Sequence, residues 1–285
     1  MIRAWLARRI ASLSIKVWLA LLLAAVWPPL HWMAKRLLWD GSDDPLGLAA
    51  LLALAGLGWW QRQGWRRTPG TGWLTLMLVL VLGASVGWGM LPPLVCALWV
   101  MLAFAAGLLA VLPGSVAAAP VVGLALLSLP VMASLQFYGG YPLRVLVAEM
   151  SRWLLCGFFQ IEREGVVLRV EGQQVLVDAA CSGVQLVWMG YFTACAVALM
   201  VGRGNASFLS RLPGVGLIIL AGNVLRNTLL VATQADGVSL AEWLHQGIGL
   251  LVLAGVCAAI AGLMLARLNP RAGALPVGEP QMQGV

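Results

Sequence analysis

Residues 94–112, LVCALWVMLAFAAGLLAVL, run for 19 positions without a charged or amide side chain. At a helical rise of about 1.5 Å per residue, such a run spans the ~30 Å hydrocarbon core of a bilayer. Pro92-Pro93 and Pro113-Gly114-Ser115 bound it. Proline cannot continue a helix ladder and glycine tolerates positive φ, so both ends read as tight turns joining antiparallel neighbours. Working outward, seven further segments approach spanning length: Val17 to Met33, Pro45 to Trp60, Trp73 to Leu91, Pro120 to Phe137, Gly183 to Val201, Leu212 to Thr233 and Leu244 to Ala266. The segment Pro45 to Trp60 is the shortest of them.

The whole chain has the same character. Of 285 residues, 61% are hydrophobic and 10% charged, and the mean hydropathy is +0.91, which excludes an ordinary soluble domain around one buried core. The net charge is +7, but the cations flank apolar segments and do not form a stripe with interleaved aromatics. They therefore read as orientation signals, with no nucleic-acid partner expected. The five cysteines, Cys96, Cys156, Cys181, Cys195 and Cys257, have neither CxxC nor Cys/His metal spacing, so no metal site or disulfide framework is expected. No cofactor motif is visible. The basic start, Met1 to Lys16, leads into an apolar run through Trp27 without a small-residue cleavage site, and is expected to be a retained first span.

With the N-terminus on the cytoplasmic side, the inner segments hold Arg3, Arg8, Arg9, Lys16, Arg62, Arg66, Arg67, Arg203, Arg211, Arg267 and Arg271, eleven of the eighteen basic residues. The positive-inside rule favours that orientation. Asn205-Ala206-Ser207 fits a glycosylation pattern but then faces the cytoplasm. Residues 272–285, rich in proline and glycine, are expected to be a disordered tail.

One sizeable polar insertion, residues 138–182, falls on the outer side. Leu143, Leu146, Val147, Met150, Leu154 and Leu155 recur at helical spacing while Arg144, Glu149 and Arg152 are polar, which predicts an amphipathic helix at the interface. Val166 to Val170 and Gln174 to Val177 flank Glu171-Gly172 and predict a β-hairpin. The fold class expected is therefore an all-α polytopic membrane protein, a single integral domain over residues 1–285 with about eight transmembrane helices and a small extracytoplasmic helix-plus-hairpin insertion.

The hairpin leads to Asp178-Ala179-Ala180-Cys181-Ser182-Gly183, just ahead of an apolar helix. Backbone amides at a helix start lack intrahelical partners and, with the helix dipole, favour a thiolate. A membrane cysteine is otherwise a small packing residue. Ser182 reads as the helix N-cap. Arg226 lies about 7 residues, roughly 10 Å, below the outer end of its span. An arginine in that environment costs about 2.5–3.5 kcal/mol to insert, so it usually faces a cavity or a partner; a snorkelling arginine paired with a loop acid is the plainer alternative. Asn223, one turn before Arg226 on the same face, can bind the same substrate, bond to Arg226, or join helices. His245 stands at the outer start of the last span, and His31 near the outer end of the first. Three separate segments thus bring a nucleophile, a fixed cation and an imidazole to one face, as acyl transfer by a thiolate requires.

Ala180-Cys181-Ser182-Gly183, then Asn223-Val224-Leu225-Arg226, then His245 with Gly249, resemble the exosortase/archaeosortase family of membrane cysteine proteases in order and spacing. The resemblance covers roughly Leu129 to Leu263 and includes Pro142-Leu143-Arg144 and Arg163-Glu164-Gly165; Val184-Gln185-Leu186 departs from the commonest family form. It implies that Cys181, Arg226 and His245 are catalytic, with Asn223 and Ser182 as candidate substrate-binding residues. The implied partners are membrane-anchored proteins with a C-terminal sorting signal, namely a short Pro-Glu-Pro-like motif, a transmembrane helix and a basic end, in systems that often accompany exopolysaccharide export. The expected location is the bacterial inner membrane, with the active site on the periplasmic side. The rival reading is a non-enzymatic transporter or polysaccharide-assembly component, in which Arg226 binds an anionic substrate and Cys181 merely packs. Paired broken helices or inverted repeats would mark such a transporter, and the sequence shows neither.

Overall fold

The computed structural model describes residues 21–39, 45–176, 183–234 and 242–266. Cys181, Ser182, the first twenty residues and the tail lie outside them. The described chain is helical apart from one small sheet. In order it forms α1 (Trp27–Leu38), α2 (Leu46–Trp60), α3 (Thr71–Gly87), α4 (Pro93–Val111), α5 (Ala118–Leu127), α6 (Met132–Leu155), β1 (Ile161–Glu164), β2 (Val167–Val170), β3 (Gln173–Leu176), α7 (Val184–Met200), α8 (Asn205–Leu209), α9 (Leu212–Gln234) and α10 (Glu242–Leu265).

By length and composition, three helical stretches suffice to cross a membrane: Pro93–Val111, Asn205–Thr233 and Trp243–Leu265. Leu46–Trp60, Thr71–Gly87 and Val184–Met200 are apolar but shorter. By that test the described residues hold three candidate spans, four if α5 and α6 count as one broken span, and the remaining expected spans are not confirmed by it. Two of the expected spans are interrupted. Helix over residues 21–25 turns at Val26 before α1, where Pro28 and Pro29 occupy the first turn. The span expected over Pro120 to Phe137 breaks between α5 and α6, which meet at 91°. Pro130 sits at that break and has no N–H to extend the ladder. The carbonyls freed there find other donors: Trp188 Nε1 donates to Leu127 O at 2.9 Å, and Ser128 Oγ donates to Ala125 O at 2.6 Å.

One apolar core runs through the helices, with Leu37, Leu54, Met101, Val121, Ala194 and Ile260 among its buried members. Within it α7, α9 and α10 approach closely through small residues, as helices do where lipid gives no hydrophobic drive to associate. A Cβ on Gly190 would lie 2.6 Å from Ile219 Cδ1, and one on Gly222 would lie 2.2 Å from Val256 Cγ2.

At one end of the molecule lie the close of α4, the opening of α5 and the segment 203–211. Arg66 N donates to Val111 O at 2.8 Å. Asn205 Oδ1 accepts the Ala119 N–H at 2.8 Å, so the asparagine of the glycosylation-like triplet caps α5. Arg203 and Arg211 close the end of α10: Arg211 donates to Leu263 O at 2.5 Å and to Ala266 O at 2.7 Å, and Arg203 donates to Met264 O. Several cations expected to share one side of the bilayer therefore share one end of the bundle. Arg211 is buried, and its replacement by methionine is expected to leave those terminal carbonyls unsatisfied. The expected cost is about 1–3 kcal/mol, measured as a lowered unfolding temperature in detergent; an unchanged midpoint would refute this capping role.

The insertion differs in extent from its expected form. The amphipathic helix begins earlier, at Met132, and runs through Pro142, which removes only one ladder bond. The expected hairpin is present as β2 and β3, with Leu168 opposite Val175. Its turn residues Glu171 (φ 49) and Gly172 (φ 83) are both left-handed, the two-residue geometry that matches strand twist. A third strand, β1, pairs antiparallel with β2. Its sequence, Ile161-Glu-Arg-Glu164, carries no apolar run to announce it. Leu168, Val170 and Val175 pack the sheet on Ala148 and Leu155 of α6 and on Leu230 and Val231 of α9.

Candidate active site

The end of the bundle opposite Arg203 and Arg211 holds the start of α7, the C-terminal half of α9 and the start of α10. Gly183, the first described residue after Cys181 and Ser182, occupies the N-cap position of α7 with φ 84, and its carbonyl accepts the Val187 N–H at 2.9 Å. The cap position expected for Ser182 therefore falls one residue later. Gly183 rests on the Asn223 carboxamide: a Cβ there would lie 2.4 Å from Asn223 Nδ2. Both the backbone angle and the close approach demand glycine. Gly183→Ala is accordingly expected to cost about 2 kcal/mol or more, since the left-handed region alone costs an L-residue about 1–2 kcal/mol. Thermal unfolding in detergent would reveal it, and a neutral result would exclude the tight Gly183–Asn223 contact.

Asn223 is buried, and Arg226 follows it by one helical turn. The guanidinium of Arg226 lies across the backbone of α10, where a Cβ on Gly249 would be 3.4 Å from both Nε and Nη2. Asn223 Oδ1 and Arg226 Nε are both enclosed by protein. His245 is half-buried on α10, four residues before Gly249 and hence on the same helix face. The structure thus joins Gly183 to Asn223 and Arg226 to the His245 face of α10. Cys181 and Ser182 lie outside the described residues. His31 stacks on Trp27 of α1, with ring centroids 6.0 Å apart.

Arg226 opens into a cavity of about 500 Å³ between α7, α9, α10 and the start of α2. Gln185 and Gln246 supply its other polar side chains, among Leu186, Met189, Leu250 and Leu253. Neither glutamine stood out in the sequence. The available signal was a carboxamide next to each motif, Gln185 two residues after the Cys181-Ser182-Gly183 run and Gln246 beside His245. On the far side of Asn223 lies a smaller, mostly apolar cavity of about 240 Å³, bounded by α6, α7 and α9.

The sheet beside this end is tied to α6 by charge. Glu149 accepts from Arg152 Nη2 at 2.6 Å, from Arg163 Nε of β1 at 2.5 Å and from Trp153 Nε1 at 2.7 Å. With Arg144, Glu149 and Arg152 in its second half, α6 is too charged there to lie in lipid. Hydrogen bonds from Arg152 and then Arg163 pull the Glu149 carboxyl from about 4.5 down to about 2. A carboxyl lowered on folding stabilises above its unfolded value and loses that contribution as pH falls through the folded one. Protection of the β1 amides, the slowing of their exchange relative to that of the unstructured chain at the same pH, is therefore expected to be steady above pH 4.5 and to fall between about pH 4.5 and 2, the window bounded by those two values. Glu149→Gln should remove that fall and show weaker protection at neutral pH; a wild-type profile in the variant would overturn the tie.

A bent, glycine-packed helical bundle with a half-buried arginine laid against the helix that carries His245, and a cavity at the same end, defines a multi-pass membrane protein with a polar site set among its helices. Residues 38–262 match the family model of the transmembrane exosortases, most of the chain, and the protein belongs to that family. No curated protein and no solved structure matches it.

Proposed function

We propose that this chain is a cysteine peptidase or transpeptidase of the bacterial inner membrane. It cleaves C-terminal sorting signals, of the Pro-Glu-Pro-like kind, from exported proteins on the periplasmic side, with the N-terminus in the cytoplasm and eight crossings in all. The observation that carries this reading is the chain of contacts from Gly183 through Asn223 and Arg226 to the His245 face of α10. Cys181 precedes Gly183 by two residues, a stretch of chain that spans at most about 7 Å, so its thiol is read as the nucleophile that this set serves.

His245 takes the thiol proton of Cys181. The thiolate attacks the peptide carbonyl, and Arg226 stabilises the oxyanion that forms. As the intermediate collapses, the C–N bond breaks and the imidazolium returns its proton to the departing amine. The thioester left on Cys181 then passes its acyl group to water or to a membrane acceptor with a free nucleophile. Asn223 positions Gly183, and Ser182 serves in binding the substrate.

The test is processing in cells. A tagged protein from the same genome, ending in the motif, a transmembrane helix and basic residues, is co-expressed with the chain. A shortened product that depends on the chain supports the reading. The same product in cells lacking the chain, or in cells carrying Cys181→Ala, overturns it.

A further inference from the structure

The cavity beside Arg226 has a divided character. Leu186 and Met189 of α7, Leu250 and Leu253 of α10, and Pro45 and Leu46 at the start of α2 give it apolar walls, while Gln185, Gln246 and Arg226 are its polar side chains. Gln246, Gly249, Leu250 and Leu253 recur at positions i, i+3, i+4 and i+7, so one face of α10 lines it, and Gln185 projects from the first turn of α7. Both glutamines are exposed on the protein surface, as is Leu250. The cavity therefore reaches the surface of the bundle beside α7 and α10.

We infer that Gln185 and Gln246 are positioning residues that hold the main chain of an extended peptide against Arg226. A peptide entering this space leaves water, and each of its amide groups then needs a partner or costs the full desolvation penalty. A carboxamide both donates and accepts, so it matches the N–H and C=O of a peptide unit and adds no charge. Apolar walls around it accept the flanking side chains. Two carboxamides from different helices in one cavity with Arg226 suit a segment that runs past the guanidinium, with a carbonyl oxygen turned toward the cation. The inference rests on the peptidase reading for the identity of the substrate, but the occupancy it asserts is separable from cleavage.

Two measurements test it with the full chain in its membrane. The first is the concentration dependence of processing for Gln185→Leu, Gln246→Leu and the double variant. Each single change is expected to raise KM about fivefold with little effect on kcat, as loss of one neutral hydrogen bond implies, and Gln246→Asn is expected to recover part of the loss. The second places a photoreactive benzophenone side chain at position 185 or 246 in a Cys181→Ala background and follows its adduct with the tagged substrate. Adducts are expected at both positions and not at Leu251, which is 76% exposed on α10 and does not line the cavity. Processing with unchanged KM and no adduct at 185 or 246 overturns the inference and leaves the peptidase standing. Adducts at both positions without any processing by the wild-type chain uphold the peptide site and overturn the peptidase. Neither processing nor adducts overturns both.

Discussion

Cys181→Ala is expected to lower the processing rate by at least about 10⁴-fold, the scale on which a catalytic set loses activity when its nucleophile is removed. Among the described residues none that touches Gly183 is a comparable nucleophile, and the hydroxyl of Ser182, next in sequence, is far less ionised at neutral pH than a thiol. The side-chain change is one sulfur atom, and the contacts that shape this end of the bundle belong to Gly183, Asn223, Arg226 and Gly249. Membrane level and unfolding temperature are therefore expected to stay at wild type. A pulse-chase of the tagged substrate checks the rate, and detergent-solubilised protein checks the fold. A loss of both together would make Cys181 a packing residue; retained processing would remove the thiol from the chemistry altogether.

Arg226 supplies the second large effect, and here function and stability are expected to move in opposite directions. Arg226→Met is expected to slow processing by about 10²–10³-fold, the usual consequence of removing one oxyanion-stabilising group. The same change removes a charge whose insertion costs on the order of 2.5–3.5 kcal/mol, so the variant is expected to be at least as stable as wild type in a thermal scan. Arg226→Lys should rescue little. The flat guanidinium lies along the α10 backbone at Gly249, and a flexible ammonium has neither that shape nor its fork of donors. If Arg226→Met lost stability and kept activity, the arginine would be a structural fastening and the oxyanion role would fall.

The candidate site was legible in the sequence because its residues are costly or conspicuous where they stand. An arginine inside an apolar helix, a histidine at the start of another and a cysteine ahead of a third are hard to explain as lipid-facing side chains. Glycine partners were less visible. Gly249 entered through the family resemblance, but that it lets Arg226 lie across α10, and that Gly183 must accept Asn223, follows only from how closely α7, α9 and α10 approach. Gln185 and Gln246 were missed for a related reason. A glutamine near the end of a span is unremarkable until a cavity places it beside a guanidinium.

The solvent, the helical class and the sorting of several cations to one end were all readable from residue pattern, because long apolar runs must satisfy their backbone bonds internally in lipid and cations collect beside such runs on one face. Gly172 also marked the β2–β3 turn, since glycine takes left-handed angles without steric cost, and Glu171 (φ 49) follows it into that region. Tertiary structure decided what local pattern cannot. The break between α5 and α6 needed Pro130 together with Trp188 from a distant helix to satisfy Leu127 O, and β1 needed β2 as a neighbour because Ile161 to Glu164 has little apolar surface of its own. The cavity around Arg226 exists only where three helices and the start of α2 converge, a property of their packing that no single segment carries.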